Sequence, residues 1–279
     1  MKTPSRVVVS GSFDDLRSHH VRLLQEAAQL GTVHLLLWSD DMVRSVTGQP
    51  PKFPEAERAY LVEAIRYVEK VWPFNGRPDP NALPQLDFLQ PQIWAVDENA
   101  DTEAKRAFCN THSLEYRVFT DKDLVGFPMP KTAPSAPDRK KVIVTGCFDW
   151  FHSGHVRFFE EVSQLGDLYV IVGHDKNLRL LKGEGHPVVP QSERLYMVGS
   201  VRHVKEALIS TGHGWLDAEP EIYRIKPDLY VVNEDGDKPE KREFCRKHGL
   251  QYVIFKRTPK EGLTGRTSTS LRESAGSSL

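Results

Sequence analysis

Thr145-Gly146-Cys147-Phe148-Asp149-Trp150-Phe151-His152-Ser153-Gly154-His155 is the stretch on which the reading of this 279-residue chain turns. Ahead of it, Lys141-Val142-Ile143-Val144 is a short β-branched run that reads as a buried strand, and behind it Val156, Phe159, Val162 and Leu165 recur at helical spacing. The stretch is therefore a strand-to-helix turn, with His152 and His155 where the helix begins. Free backbone N–H groups and the positive end of the helix dipole gather at such a place, which suits the phosphates of a nucleotide. Gly154 lets a ligand come close to the main chain.

Gly146-x-Phe148-Asp149 followed by His152-x-Gly154-His155 resembles the signature of the cytidylyltransferase-like nucleotidyltransferases. That superfamily includes the glycerol-phosphate, choline-phosphate and ethanolamine-phosphate cytidylyltransferases. Near the other end, Arg266-Thr267-Ser268-Thr269-Ser270-Leu271-Arg272 resembles the family's second signature, a basic residue followed by Ser/Thr-rich positions that open a helix and grip a triphosphate. The resemblance implies that His152 and His155 bind phosphates and stabilise the transition state, together with Lys182, Arg266 and Thr267. It also implies nucleotide contacts at Gly146, Cys147, Phe148, Gly154, Ser268 and Thr269, magnesium arriving with the triphosphate, and a homodimer as a plausible assembly.

The same turn occurs twice. Val7-Val8-Val9-Ser10-Gly11-Ser12-Phe13-Asp14 matches Val142-Ile143-Val144-Thr145-Gly146-Cys147-Phe148-Asp149 without a gap. The match continues through Gln29-Leu30-Gly31 against Gln164-Leu165-Gly166, and Glu57-Arg58 aligns with Glu193-Arg194 after a one-residue shift. The chain is a tandem duplication. Its halves differ in chemistry: His152 becomes Arg17, Gly154 becomes His19, Lys182 becomes Thr47, and the Arg266–Thr269 signature has no counterpart around residues 121–130. His20, Asp14 and Arg58 survive. Activity is therefore expected in the second half alone.

Lys131-Thr132-Ala133-Pro134-Ser135-Ala136-Pro137-Asp138 is rich in proline and small residues and reads as a connection. The expected organisation is a degenerate domain over 1–130, a linker over 131–140, an active domain over 141–273 and a loose tail over 274–279. Each half alternates strand and helix, which predicts an α/β fold of two tandem Rossmann-like parallel sheets wrapped by helices. In the second half strands are expected at 142–144, 168–172, 229–232 and 252–255. Ligands of such sheets bind beyond the carboxyl ends of the strands, where the strand order reverses. That rule nominates His174 and Asp175, after one strand, and Asn233, at the end of another, for the ribose or base. Trp150, Phe151, Phe158 and Phe159 read as core residues.

A net charge of −1 gives no electrostatic reason for a nucleic-acid partner. No run of about eighteen apolar residues exists to cross a membrane, and Met1–Arg6 lacks the apolar segment of a signal peptide, so a soluble cytoplasmic protein is expected. Three cysteines make neither a disulfide framework nor a spaced metal cluster, and Cys109 and Cys245 read as core residues. No direct protein ligand for a metal is expected. Asp149 is better suited to orienting its own loop than to ligating magnesium, which usually rides on substrate phosphates.

In nucleotidyl transfer a phosphate-monoester oxygen attacks the α-phosphorus as pyrophosphate departs. Fixed donors and cations matter more there than a covalent nucleophile. Lys182, in the glycine-punctuated stretch Leu180–Pro187, supplies such a charge. Arg194 and Arg202, placed on the helix that follows, are candidates for the acceptor phosphate. The two-domain layout resembles ethanolamine-phosphate cytidylyltransferases, where the second half is the eroded one, and this favours CTP with a small phosphorylated alcohol. Leu181–Val188 also resembles the loop of the adenylyltransferases that make ADP-heptose, so ATP with a sugar phosphate is the alternative. A non-catalytic nucleotide-binding regulator is the reading of a different class. A dinucleotide-forming adenylyltransferase has no aromatic-rich acceptor motif to support it.

Overall fold

A computed structural model describes residues 4–74, 79–84, 89–132, 136, 138–269 and 271–272. The chain divides into two compact units, Met1–Gly126 and Phe127–Leu279. This division falls ahead of the proline-rich segment because Phe127 and Met129 pack within the second unit. The rings of Phe127 and Tyr196 lie 5.5 Å apart, and the Met129 methyl fills the space that a Cβ on Gly199 would need. Residues 133–135 and 137 of the expected linker, Ser270 of the second signature and the tail at 274–279 lie outside the described residues.

The first unit comprises β1 (Arg6–Gly11), α1 (Ser18–Leu30), β2 (Thr32–Trp38), α2 (Asp40–Thr47), α3 (Glu55–Glu63), β3 (Val68–Phe74), β4 (Ile93–Asp97), α4 (Glu103–Thr111) and β5 (Glu115–Phe119). Its strands pair in parallel in the order β3-β2-β1-β4-β5. The second unit comprises β6 (Lys141–Gly146), α5 (Ser153–Ser163), β7 (Asp167–Val172), α6 (Asp175–Lys182), α7 (Gln191–Gly199), β8 (Glu206–Ile209), α8 (Glu219–Ile225), β9 (Leu229–Asn233), α9 (Pro239–His248) and β10 (Gln251–Phe255). Its parallel order, β8-β7-β6-β9-β10, is the same topology. Register repeats as well: Arg6 opposes Thr32 as Lys141 opposes Asp167. The strand order reverses between β1 and β4 in one unit and between β6 and β9 in the other. Both sheets are therefore the expected α/β, Rossmann-like type.

Apolar runs without alternation explain the strands. Val142, Ile143 and Val144 are all fully buried, as in sheets covered on both faces, and each such side chain contributes roughly 1.5–3 kcal/mol. Tyr230, Phe244 and Cys245 close the core on β9 and α9, and Cys109 does so in the first unit. Strand β8 was not expected; it is a short edge with one fully enclosed position. Helix α7 stops at Gly199, so Arg202 lies in the turn beyond it rather than on the helix. Lys182 is the last residue of α6, not part of a loop. Among the described residues no helix is long and apolar enough to cross a membrane.

One device holds the loops at the carboxyl edge of each sheet. Arg194, 1 % exposed, donates from Nε to the Val189 carbonyl at 2.9 Å, from Nη1 to the Cys147 carbonyl at 2.6 Å, and from Nη2 to the Gly173 carbonyl at 2.8 Å and to Asp175 at 2.7 Å. Arg58 makes the same set with the carbonyls of Phe53, Ser12 and Trp38 and with Asp40. Asp149 adds a second tie by accepting from the N–H groups of Val188 and Val189, as Asp14 does from Lys52 and Phe53. Four of the five N–H groups of Arg194 are thus engaged by its own fold, which corrects its expected place on the acceptor phosphate. Removing the guanidinium strands three carbonyls and a carboxylate. Arg194→Leu and Arg58→Leu are each expected to destabilise their own unit by about 3 kcal/mol or more in denaturant unfolding. A loss below about 1 kcal/mol in either would contradict the structural role.

Candidate active site

The turn that follows β6 is shaped by close packing. Phe148 takes a left-handed backbone conformation, φ 55°, as its counterpart Phe13 does at φ 46°. A Cβ on Gly146 would come within 2.6 Å of the Phe148 ring, so this position must be glycine for the ring to fold back. Phe148 then stands edge-on to His155, with ring centroids 5.2 Å apart, and packs on Phe159. His152 caps α5: its Nδ1 accepts from the Gly154 N–H at 3.0 Å. The His152 and His155 rings stack at 3.9 Å, and a Cβ on Gly154 would strike His152 at 2.9 Å. Gly154 thus makes room for the histidine and for the Arg266 carbonyl beside it, rather than only for a ligand.

Both histidines are neutral. Burial is the main cause; for His152 the charges of Arg257 and Arg266 add to it and hold the imidazole down to about 3. His155 is pushed well below the ordinary value by burial, then by His152, Arg257 and Lys182. Because Nδ1 of neutral His152 accepts a hydrogen bond, its proton sits on Nε2. That Nε2–H is buried with no hydrogen-bond partner, and so is Nδ1 of His155. A buried donor left unmatched in this way calls for an acceptor that the fold itself does not provide.

The turn opens onto a cavity of about 360 Å³ at the carboxyl ends of β6 and β9, where the strand order reverses. Gly146, Cys147, Phe148 and His155 form one wall, Asn233 and Arg257 another, and Lys182, Thr267, Ser268 and Thr269 close it. Thr267 precedes the helical residues 268, 269, 271 and 272, and the Leu271 N–H returns to its carbonyl at 3.1 Å. Arg266 lines an adjoining cavity with Ser153 and Gly154. His155, Arg257, Lys182 and a helix start therefore meet on one cavity, with Arg266 on its neighbour and His152 stacked behind His155.

A family model described as "Cytidylyltransferase-like" matches residues 143–273. An FAD synthase of Archaeoglobus profundus is 34% identical over 134 residues, 47% of this chain and 83% of that protein. The chain belongs to the cytidylyltransferase-like nucleotidyltransferase family. An FAD synthase of Methanospirillum hungatei is 40% identical over 119 residues, 42% of this chain and 72% of that protein. Among solved structures, a lipopolysaccharide core biosynthesis protein from Thermoplasma volcanium is 24% identical with a TM-score of 0.37, covering 44% of this chain and 99% of that one.

Not every residue nominated from the sequence stands at this cavity. His174 caps α6 by accepting from the Asn177 N–H at 3.2 Å, and its Nε2 meets the Gly212 carbonyl at 2.9 Å. Asp175 is the carboxylate of the Arg194 cage. The fold consumes both ring nitrogens of His174, and Asp175, with one oxygen on Arg194, lines none of the three cavities, which corrects their expected contact with ribose or base. Arg202 is exposed in the turn after α7 and lines none of the cavities described here. Trp150 lines a third cavity instead of the core.

Sequence reasoning overlooked Arg257, Trp215, Asp217 and Lys241, all on the large cavity. Arg257, bound to Asp235 at 2.6 Å, follows β10 directly, and its place just after a predicted strand was the available signal. Lys241, 7 % exposed and held down by burial, reaches Thr145 and the Gly236 carbonyl from α9. No motif marks it.

In the first unit the matched turn is occupied by its own charges. Asp15 pairs with Arg17 at 2.6 Å and with Lys52 at 3.1 Å. His20 lies against His19, with ring centroids 3.8 Å apart and the planes tilted by 38°, and is held at about 3, chiefly by burial.

The depressed histidines set a pH dependence. Between about 3 and 6.5 the unfolded His152 binds a proton that the folded one refuses, so stability is present above 6.5 and is lost as pH falls through this window. Imidazole nitrogen NMR at pH 5 should find His152 neutral with its proton on Nε2; a midpoint near 6.5 would contradict the buried, capping geometry.

Proposed function

We propose that the second unit transfers the adenylyl group of ATP to the phosphate of an acceptor, with FMN as the first acceptor to test and FAD and pyrophosphate as products. The observation that carries nucleotidyl transfer is the buried, unmatched Nε2–H of His152 at the start of α5, stacked on His155, which lines the large cavity together with Lys182 and Arg257. Phosphate oxygens satisfy that donor. Adenylyl in place of cytidylyl rests on the relatives: each is named an FAD synthase, and FAD is FMN joined to an adenylyl group through a phosphoanhydride. This favours the ATP alternative over CTP with a phosphorylated alcohol. It also favours the dinucleotide-forming class, which lacks a local aromatic motif. The aromatic faces here come from separate loops, Trp215 on the large cavity and Trp150 on its neighbour, so no single stretch of sequence displays them.

The mechanism follows from charge. As the acceptor oxygen attacks and the bridging bond breaks, negative charge grows on the phosphates. A neutral imidazole donates an N–H without needing to lose a proton, while Lys182, Arg257 and Arg266 hold the charge in place. Thr267, Ser268 and Thr269 offer hydroxyls and N–H groups at a helix start. Magnesium is expected with the triphosphate. Among the described residues no group of three or more His, Cys, Asp or Glu could cage an ion, and the cavity carboxylates Asp217 and Asp235 already accept from Ser210 and Arg257. No step is therefore assigned to a metal held by these residues. The first unit, with its turn filled by Asp15, Arg17 and Lys52, is proposed to be catalytically silent.

Pyrophosphate release should be followed with ATP or CTP against FMN, ethanolamine phosphate and a heptose phosphate. Turnover with ATP and FMN, and mass-spectrometric detection of FAD, is the expected result; turnover only with CTP would restore the cytidylyl reading. His155→Asn is expected to lower kcat by about 10²–10³ while unfolding cooperatively. Wild-type rates in that variant would remove His155 from the site.

A further inference from the structure

The cavity of about 240 Å³ beside the large one lies between helix α5 and a length of irregular chain. Ser153, Gly154, Arg157 and Glu161 face it from α5, and residues 256–260 and 264–267 face it from the other side. Residues 256–267 lead from the end of β10 to the Ser/Thr-rich helix start and contain neither helix nor strand. Both ends of this length reach the proposed nucleotide site. Arg257 and Thr267 line the large cavity, and the Arg266 carbonyl stands beside Gly154 in the histidine turn.

We infer that residues 258–265 form a strap which Lys260 anchors to Glu160 of α5, and that this ion pair positions Arg257, Arg266 and Thr267 for the triphosphate. Lys260 is thus a positioning residue that acts through the strap. The inference takes its ligand from the adenylyl-transfer reading and its geometry from the chain alone.

The base of the strap is tied at both ends. Arg257 donates from its backbone N–H to Glu234 at 3.2 Å and from Nη1 to Asp235 at 2.6 Å, which fixes the start to the loop after β9. Its Nη2 reaches the Arg266 carbonyl at 3.4 Å and so joins the start to the end. Midway the chain turns back on itself. The Leu263 N–H donates to the Lys260 carbonyl at 2.9 Å, and Gly262 takes a left-handed conformation, φ 80°.

The tip is held from α5. Lys260 donates from Nζ to Oε1 of Glu160 at 2.8 Å, while Oε2 of the same carboxylate accepts from Arg157 at 2.8 Å and Arg157 pairs in turn with Glu161 at 2.6 Å. A carboxylate engaged at both oxygens is already ordered, so the pair loses less to side-chain freedom than an isolated surface pair does. With base and tip both fixed, the arginines meet a triphosphate in place, and the cost of ordering them does not fall on binding.

Lys260→Ala, Lys260→Arg and Glu160→Gln in the full chain test this, with a non-hydrolysable ATP analogue and AMP titrated by calorimetry. Lys260→Ala and Glu160→Gln should each weaken the ATP analogue roughly three- to fivefold and AMP, which lacks the outer phosphates, less than about 1.5-fold. The double variant should lose no more than either single one, and Lys260→Arg should keep its affinity. Glu160→Gln separates the strap from bare charge: removing a carboxylate near the site would by itself tighten anion binding, so tighter or unchanged binding overturns the inference. Amide-exchange mass spectrometry without ligand should find faster exchange over residues 258–265 in both single variants, and unchanged exchange would remove the anchor. If wild type makes FAD and neither variant changes affinity for the ATP analogue, the strap is overturned while adenylyl transfer stands. If wild type makes no FAD, adenylyl transfer fails on its own account and inorganic pyrophosphate replaces the analogue. Weaker pyrophosphate binding in Glu160→Gln then supports the strap, and equal binding, or none to wild type, overturns it.

Discussion

One buried guanidinium in each unit is the interaction on which the carboxyl edge of the sheet depends. Arg194 draws together the carbonyl ends of two neighbouring loops, at Cys147 and Gly173, and the segment before α7, at Val189. A charge this deeply enclosed is tolerable because carbonyl dipoles surround it and Asp175 balances it. Besides the cage, the turn bearing the histidines and the end of β7 share the hydrogen bond from the Gly173 N–H to the Gly146 carbonyl at 2.9 Å. Asp149, accepting from Val188 and Val189, closes the same ring from the other side.

The tandem units separate scaffold from chemistry. The cage, the aspartate tie, the left-handed phenylalanine and the strand order occur in both. What differs includes the turn, a capping histidine with an unmatched N–H on one side and an arginine paired to Asp15 on the other, together with Lys182, which is Thr47 in the first unit, and the Arg266–Thr269 stretch. In the second unit Nε2 of His152 and Nδ1 of His155 have no hydrogen-bond partner, whereas in the first Arg17 pairs with Asp15 and Nδ1 of His20 accepts from the Arg17 N–H. The two units share their fold although their turns differ, because the arginine that holds the loops is not among the residues that line the large cavity.

Electrostatics in the second unit are arranged so that the histidines remain donors rather than charges. Burial contributes most, and Arg257, Arg266 and Lys182 reinforce it by repelling a proton. The positive charge of the site is thereby carried by groups that keep it at any physiological pH, and the imidazoles supply direction.

By itself the sequence determined the parallel α/β architecture, the duplication and the histidine turn, because each is written in local signals: apolar runs, a gapless repeat, and a glycine-and-histidine motif between a strand and a helix. Short or tightly packed features were less legible. Strand β8, the early end of α7 and the helical place of Lys182 depend on packing that periodicity does not encode. Only the tertiary structure decided which charged residues face the cavity. Arg194, His174 and Asp175 carry the residue types of a binding site, yet their hydrogen bonds are spent on the fold. Arg257 and Lys241 resemble ordinary surface residues in sequence and line the cavity. A side chain's chemistry is a property of its type, but whether that chemistry remains available depends on which backbone groups the fold brings within its reach.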